Sequence, residues 1–188
     1  MSWRLLLDPP ASAAANMSID EALLAHAQRP LLRLYSWERP SISLGYRQID
    51  PAWLARCGVH PVSLVRRVSG GGAVVHAGDL TYAVIAPLDT PGLPGDLRGS
   101  FEWIRDRLIE GLQRAGLDAR RGAQREGADR LEICFAGATG FEVEIAGRKL
   151  VGSAQRRAPW GFLQHGSIRL ADDSHVYREV LGAEPPLP

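Results

Sequence analysis

The sequence has few of the features that indicate a secreted, membrane-bound or nucleic-acid-binding protein. Its 188 residues include only two cysteines, Cys57 and Cys134, a number typical of free thiols in a reducing compartment. No stretch approaches the roughly 20 apolar residues that cross a bilayer, and Asp8 with two prolines interrupts the apolar start of the chain. Lysine plus arginine (22) nearly balance aspartate plus glutamate (21), so the total charge favours neither nucleic-acid nor membrane binding. We therefore expect a cytoplasmic protein.

Internal repeats and low-complexity segments are also missing from the sequence. Apolar residues make up 45% of the chain, which is enough for one sizeable core. We expect a single domain over residues 1–188, with a frayed tail at 183–188.

Hydrophobic periodicity predicts a chain with more strands than helices. Strands are expected at residues 31–37, 41–46, 62–67, 80–87 and 161–170, with a hairpin at 141–157 that turns at 146–149. Helices are expected at 16–28, at 101–116, and near the end at 172–182. The first of these could be capped by Asn16 or by Ser18, and Glu21 would complete a capping box with Ser18. This pattern predicts an α+β (mixed α/β) fold with a mainly antiparallel or mixed sheet flanked by helices.

Three segments combine unusual backbone demands with polar or reactive side chains: "RRVSGGGAVVH" from Arg66, "ICFAG" around Cys134, and "GRKLVGSAQRR" around Lys149. Three consecutive glycines predict a turn at which the backbone must approach another group closely. Lys149 is the only lysine in a chain that otherwise uses arginine, which argues against a merely solvated position. A free cysteine such as Cys134 is, taken alone, more often a small buried side chain than a nucleophile.

In this order, and together with "NMSIDEALL", "PSISLGYRQ" and "LQHGSI", these segments resemble the lipoate-protein ligase and octanoyltransferase family, relatives of the biotin-protein ligases. The resemblance covers most of the chain and is closest to the cysteine-dependent octanoyltransferases. It implies a biotin/lipoate-protein-ligase-like catalytic domain with a tunnel for a medium-length acyl chain, octanoyl or lipoyl. The form "SGGGAV" is typical of the ligases, whereas "HAGDLTY" is closer to the transferases.

The same resemblance implies the site residues. Cys134 would be the nucleophile and Lys149 would hold the acyl carbonyl, where a cation also lowers the pKa of a neighbouring thiol. The implied substrate-binding residues are Arg67, Ser69, Gly70, Gly71, Gly72, His76, Gly152, Ser153, Ala154, His165 and Gly166. No metal site is expected from His76 and His165. Four arginines could steer an acidic carrier protein to the site: Arg66, Arg67, Arg156 and Arg157.

The function implied is transfer of an octanoyl group from acyl carrier protein to a lysine of a lipoyl-domain protein, without a cofactor. The acceptor would be a protein such as the glycine cleavage H protein or a 2-oxoacid dehydrogenase E2. Two alternatives stay open: an ATP- and Mg²⁺-dependent lipoate-protein ligase, with or without a partner subunit, and a non-catalytic module that binds acyl groups or lipoyl domains. Biotin ligation is a remote fourth reading. We expect no C-terminal accessory domain after Pro188, which favours transfer over ligation.

Overall fold

The computed structural model describes residues 2–49, 52–122 and 141–182 of the chain. Within these ranges ten strands form two sheets. The strands are β1 Arg4–Leu7, β2 Leu31–Tyr35, β3 Ser41–Leu44, β4 Ser63–Arg66, β5 Val74–His76, β6 Asp79–Ala86, β7 Arg120–Arg121, β8 Val143–Ile145, β9 Arg148–Ala158 and β10 Gly161–Arg169. The helices are α1 Ala13–His26, α2 Leu97–Arg114 and α3 Ser174–Val176, which continues as a π-helical turn over Tyr177–Leu181, with a 3₁₀ helix at Ala52–Gly58.

The large sheet has seven strands in the order β1-β2-β6-β10-β9-β8-β7, in which only the β1 and β2 pair is parallel. The small sheet has the order β4-β3-β5, with β3 parallel to β4 and antiparallel to β5. The predicted α+β architecture with a mainly antiparallel, mixed sheet is therefore confirmed.

Alternation along the strands gives the large sheet two apolar faces. Tyr82, Val84 and Phe162 point to the side covered by α2, where Ile104 packs against them. The neighbouring positions Ala83 and Ile85 point to the opposite side and pack with α1. Helix α1 also contacts β3 and β4, so it lies between the large and the small sheet. A third apolar cluster joins the small sheet to the 3₁₀ helix and the closing helical turn.

Helix α1 begins three residues earlier than predicted. Ser12 is its N-cap, and its hydroxyl accepts a hydrogen bond from the Ala15 amide. The predicted capping box of Ser18 and Glu21 is therefore wrong, because both residues lie inside the helix. Asn16, the other cap predicted, is fully buried and used in a tertiary hydrogen-bond network.

The other element predictions differ mainly at their ends. Helix α2 begins at Leu97 because Asp96 caps it through the Gly99 amide, and it ends as predicted before Gly116, whose φ is +87°. The hairpin of β8 and β9 turns at Ala146 and Gly147, which both have positive φ, as a two-residue hairpin turn requires.

The short strands β5 and β7 were not predicted. Strand β1 was not predicted either. It lies at the edge of the large sheet, where Leu5 and Leu7 are largely exposed, so it lacks the alternation that marks a half-buried strand. The predicted tail at 183–188 lies outside the described residues. Among the helices described, none combines the length and the hydropathy needed to cross a membrane.

Candidate active site

A narrow cavity opens on the α1 side of the large sheet, between that sheet and the small one. Its volume is about 330 Å³, and its walls lie close together. Met17, Tyr35, Trp37 and Val74 supply apolar walls. The cavity is therefore a slot, shaped for a slender group.

Seven of the predicted site residues line this slot: Arg67, His76, Gly152, Ser153, Ala154, His165 and Gly166. Strand register explains why they meet. Gly152 pairs with Ser167, and Ala154 pairs with His165, so these side chains share the sheet face that α1 covers. The sequence prediction missed Ser43, Thr81 and Ser167, which also line the slot. Each of the three is a hydroxyl residue within a largely apolar strand. That pattern alone does not indicate a site, because only the strand register shows that the three residues meet at one slot.

A hydrogen-bond chain behind the slot connects α1, β10 and the glycine turn. His165 Nδ1 lies 2.8 Å from Asp20 Oδ2, and His165 Nε2 lies 2.5 Å from Ser69 Oγ. The carboxylate of Asp20 also accepts from Arg33 and from the Tyr35 hydroxyl, at 2.7 and 2.9 Å. Because the carboxylate fixes the proton on Nδ1, Nε2 accepts from Ser69. Burial raises the pKa of Tyr35, and the neighbouring Asp20 charge raises it further.

A second chain of the same kind crosses from the small sheet to the large one. Ser43 Oγ lies 2.9 Å from His76 Nε2, and His76 Nδ1 lies 2.9 Å from Asp79 Oδ2. That oxygen also accepts from Thr81 and Ser167. Burial raises the pKa of Asp79, but the His76 ring and these three hydrogen bonds outweigh it, so the pKa lies below its ordinary value. The ring of Trp37 stacks on His76 with centroids 3.9 Å apart.

Both chains have the connectivity of a Ser-His-Asp triad, but each serine hydroxyl is buried and also accepts from Arg67. As a result, the hydroxyl groups and imidazole rings in the wall of the slot form their hydrogen bonds within the protein. The slot can then present mainly apolar surface to whatever occupies it.

Arg67 uses all five of its N–H groups inside the protein. Nε donates to Ser69 Oγ, and Nη1 donates to the carbonyl and the hydroxyl of Ser43. Nη2 donates to the carbonyls of Gly70 and Gly72, at 2.7 and 2.8 Å. A guanidinium has five donors and no acceptor. Arg67 therefore borders the slot but spends its hydrogen bonds on holding the glycine turn.

The glycine turn lies beside the slot, and its three glycines are not among the residues that line it. Gly71 has φ +88°, which favours glycine. The backbone of Gly45 approaches so closely that a Cβ there would lie 1.9 Å from the Gly71 oxygen. Two carbonyls of the turn also accept hydrogen bonds from Arg67. Among the described residues, the groups that the glycine turn approaches closely are therefore the Gly45 backbone and the Arg67 side chain.

Lys149 lies in a neighbouring surface cavity with Leu150, Arg169 and Asp172. Its Nζ lies 3.2 Å from Glu142 Oε1, and the two side chains are only 9% and 6% exposed. The structure thus places the predicted carbonyl-binding residue in a buried ion pair, outside the slot itself.

A β-bulge decides which way Lys149 points. Val143 pairs with Val151, and both face the α2 side core, whereas the next pair is Glu144 with Lys149. Leu150 is therefore the extra residue of the bulge. Without it, Lys149 would share the face of Val151. With it, Lys149 faces the side of the sheet that carries the slot. Cys134, the predicted nucleophile, lies outside the described residues.

Fold and slot together define a class: an α+β domain whose two sheets enclose a narrow, mainly apolar binding slot with a buried lysine on the same sheet face. A family model, the lipoyl protein ligase A/B catalytic domain, matches residues 12–186. The chain therefore belongs to the lipoyl protein ligase A/B catalytic domain family, and the resemblance noted in its sequence is confirmed.

Individual relatives agree with the family match. The chain is 40% identical to octanoyltransferase LipM of Kyrpidia tusciae, covering 96% of this chain and 70% of that protein. It is 37% identical to octanoyltransferase LipM of Carboxydothermus hydrogenoformans, covering 96% and 69%. Among solved structures, the bipartite lipoate protein ligase of Thermoplasma acidophilum, studied with its E2 lipoyl domain, is similar with a TM-score of 0.72 and 26% identity, over 96% of this chain and 66% of that one.

Proposed function

We propose that the protein transfers an octanoyl group from a carrier thioester to a lysine of a lipoyl-domain protein, through a thioester on Cys134. The observation that carries this proposal is the likeness, over 96% of the chain, to relatives named octanoyltransferase. The slot supports it, because a narrow apolar passage suits a slender saturated chain. The donor would be octanoyl-acyl carrier protein. The acceptor would be a lipoyl domain, the partner named for the Thermoplasma ligase.

The chemistry is two acyl exchanges. In the first, the Cys134 thiolate attacks the donor carbonyl, a new C–S bond forms, the old one breaks, and the carrier leaves as a thiol after taking up a proton. In the second, the neutral amine of the acceptor lysine attacks the acyl-enzyme, the amide forms, and the Cys134 thiol is regenerated. Exchanging one thioester for another is nearly thermoneutral and amide formation runs downhill, so the proposal needs neither ATP nor a metal ion.

Lys149 is the proposed stabiliser of the oxyanion in both steps. Its buried pairing with Glu142 would hold the ammonium in one orientation. Lys149 is three residues along β9 from Gly152, a separation of about 10 Å on a strand. That is comparable with an extended octanoyl chain. An acyl tail in the slot would therefore leave its carbonyl near the Lys149 ammonium.

The experiment that tests this function is intact-mass spectrometry of the protein mixed with octanoyl-acyl carrier protein. We expect one octanoyl adduct, sensitive to neutral hydroxylamine, on the wild type and none on Cys134→Ala, with Cys57→Ala as the matched control that keeps the adduct. Cys57 packs against the small-sheet core, and burial raises the pKa of its thiol. For Lys149→Ala we expect acylation at least ~10²-fold slower, as for removal of an oxyanion donor.

Other outcomes would decide for the alternatives. An adduct that survives Cys134→Ala removes that residue from the mechanism. A lipoylated domain formed from free lipoate, ATP and Mg²⁺ supports ligation instead. Binding of the lipoyl domain or the acyl chain with no adduct under either condition supports a non-catalytic module. Because the proposed donor is a carrier-bound fatty acyl thioester, we also propose the cytoplasm as the compartment.

A further inference from the structure

The structure separates the four arginines that the sequence offered for docking an acidic partner. Arg66 donates from Nη1 to the carbonyls of Gly45 and Gln48, at 2.8 and 2.7 Å. Arg67 is buried. Arg157 donates to the Gly95 carbonyl and the Ser100 hydroxyl. Arg156 differs from these three, because its guanidinium is exposed and lies 5.4 Å from the ring centroid of Tyr46.

Arg156 belongs to an exposed patch that we call the Tyr46 surface: Tyr46, Arg47, Ile49 and Arg156. Tyr46 is 52% exposed and Ile49 is 89% exposed. Arg47 is exposed as well. In the part of the chain that the structure describes, neither Arg47 nor Arg156 forms an ion pair with a carboxylate. Tyrosine and arginine are enriched at the energetic centres of protein interfaces.

The loop that carries this surface is already ordered. The Tyr46 amide donates to the Ser69 carbonyl at 2.8 Å, and the Gln48 amide donates to the Gly45 carbonyl at 3.0 Å. The Arg66 guanidinium holds the same loop from the side. A partner that docks here therefore has little loop entropy to remove.

The Tyr46 surface adjoins the slot. Ser43 lines the slot three residues before Tyr46, and Ala154 lines it two residues before Arg156. The surface is, however, far from Lys149. Arg156 is seven residues along β9 from Lys149, and at about 3.3 Å per residue this is about 23 Å. A lysine side chain of an acceptor cannot span that distance, whereas an acyl group on a long flexible arm can.

We propose that the Tyr46 surface docks the acyl donor, an acidic carrier protein that presents its acyl thioester on a flexible arm. The inference rests on the proposed function. Two cations without carboxylate partners complement an acidic surface, and exposed Tyr46 and Ile49 supply the apolar contact between them. The acceptor domain docks elsewhere, close to Lys149.

The experiment compares two octanoyl donors in single-turnover acylation: octanoyl-acyl carrier protein and octanoyl-N-acetylcysteamine, which has no protein surface. The variants are Arg47→Glu/Arg156→Glu and Tyr46→Ala. The matched control is Arg98→Glu, an exposed arginine on α2. We expect the double variant to lose at least tenfold in kcat/KM with the carrier protein and to keep the wild-type value with the small thioester. Aminolysis of the preformed acyl-enzyme by the lipoyl domain should also be unchanged.

Three results would overturn the inference: an equal loss with both donors, no loss with either, or a loss confined to the lipoyl-domain step, which would assign this surface to the acceptor.

Direct binding keeps the inference testable if no acyl-enzyme forms at all. In that case the proposed function fails, and fluorescence anisotropy of labelled octanoyl-acyl carrier protein decides separately. Binding by the wild type that weakens in the double variant and with added salt supports the docking surface. Equal binding by both proteins contradicts it.

Discussion

Arg67 illustrates how a single buried residue organises the glycine turn. Its side chain is enclosed, and its five donors reach two serines and two glycine carbonyls. A buried cation is costly unless its hydrogen bonds are complete. The turn and the arginine therefore depend on each other, since the carbonyls need donors and the guanidinium needs acceptors.

We expect Arg67→Lys to be damaging although it keeps the charge. A lysine ammonium has three donors at one point and cannot reach the two sides of the turn that the planar guanidinium joins. Leaving buried carbonyls without donors should lower the free energy of unfolding by about 2–4 kcal/mol, measured by urea denaturation. The control is Arg66→Lys at the neighbouring position, for which we expect less than about 1 kcal/mol. Equal losses in the two variants would contradict the role given to Arg67.

At the scale of elements, the bulge in β9 sets the direction of the lysine. The pairs beyond the bulge keep Val143 and Val151 in the core, and the pairs nearer the turn bring Lys149 opposite Glu144. The bulge thus reverses the face to which the following side chains point. Val151 packs in the core, whereas Lys149 lies on the opposite face of the sheet.

Two changes of length remove this bulge with opposite consequences. Insertion of one alanine between Val143 and Glu144 gives Leu150 a partner and turns Lys149 toward the α2 side core, so we expect acylation to fall at least ~10²-fold, as for loss of the ammonium itself. Deletion of Leu150 also makes the pairing regular, but it leaves Lys149 on the slot side. Acylation should then stay within about tenfold of wild type. Similar acylation rates for the two variants would show that acylation does not depend on which face of the sheet carries the Lys149 side chain.

At the scale of the whole molecule, chains of hydrogen-bonded side chains connect helix α1 and the two sheets. Apolar packing alone would not fix the positions of these elements relative to one another. Asp20 of α1 binds His165 of β10 and Arg33 of β2. His76 of the small sheet binds Asp79, which begins β6 of the large sheet and also accepts from Ser167 of β10. The mutual position of the two sheets, and so the width of the slot, depends on these hydrogen bonds.

Global stability should therefore fall in acid, partly through Asp79. Because its pKa in the folded state lies below the ordinary value, the unfolded chain binds the proton more readily. The stabilising effect of the ionised carboxylate is complete above the ordinary pKa of about 3.9 and is lost as the pH falls through the folded-state pKa. Urea unfolding from pH 7 to pH 3 should show Asp79→Asn less stable than wild type at neutral pH and the difference shrinking in acid. A constant difference at every pH would exclude this role.

The sequence predicted most strands because each carries an apolar or alternating run, as β2, β6 and β10 do. It missed β1, whose leucines face solvent, and the short strands β5 and β7. It also missed the true cap of α1, because Ser18 and Glu21 imitate a capping box inside the helix. The family was predictable from the order of several short motifs.

The parts of the site that were not predicted depend on contacts between residues distant in the chain. Asp20 and His165 are 145 positions apart, and Ser167 reaches Asp79 across 88 positions. No periodicity in the sequence pairs them, since a buried aspartate in the middle of a predicted helix is indistinguishable from a solvated one. Arg67 was predicted as a substrate-binding residue from the family resemblance, and only the geometry reveals that its donors are occupied. The assignment of Cys134 stays a prediction.

The contact between Gly45 and Gly71 has a consequence for how this protein can change over time. A side chain at position 45 would need the carbonyl of residue 71 to move, and that carbonyl belongs to a turn whose two flanking carbonyls are tied to a buried guanidinium. Positions 45 and 71 lie in different segments of the sequence but meet in the fold, so they are constrained to change together. In a library that randomises codon 45, survivors should carry the parental glycine or a compensating rearrangement of the distant loop.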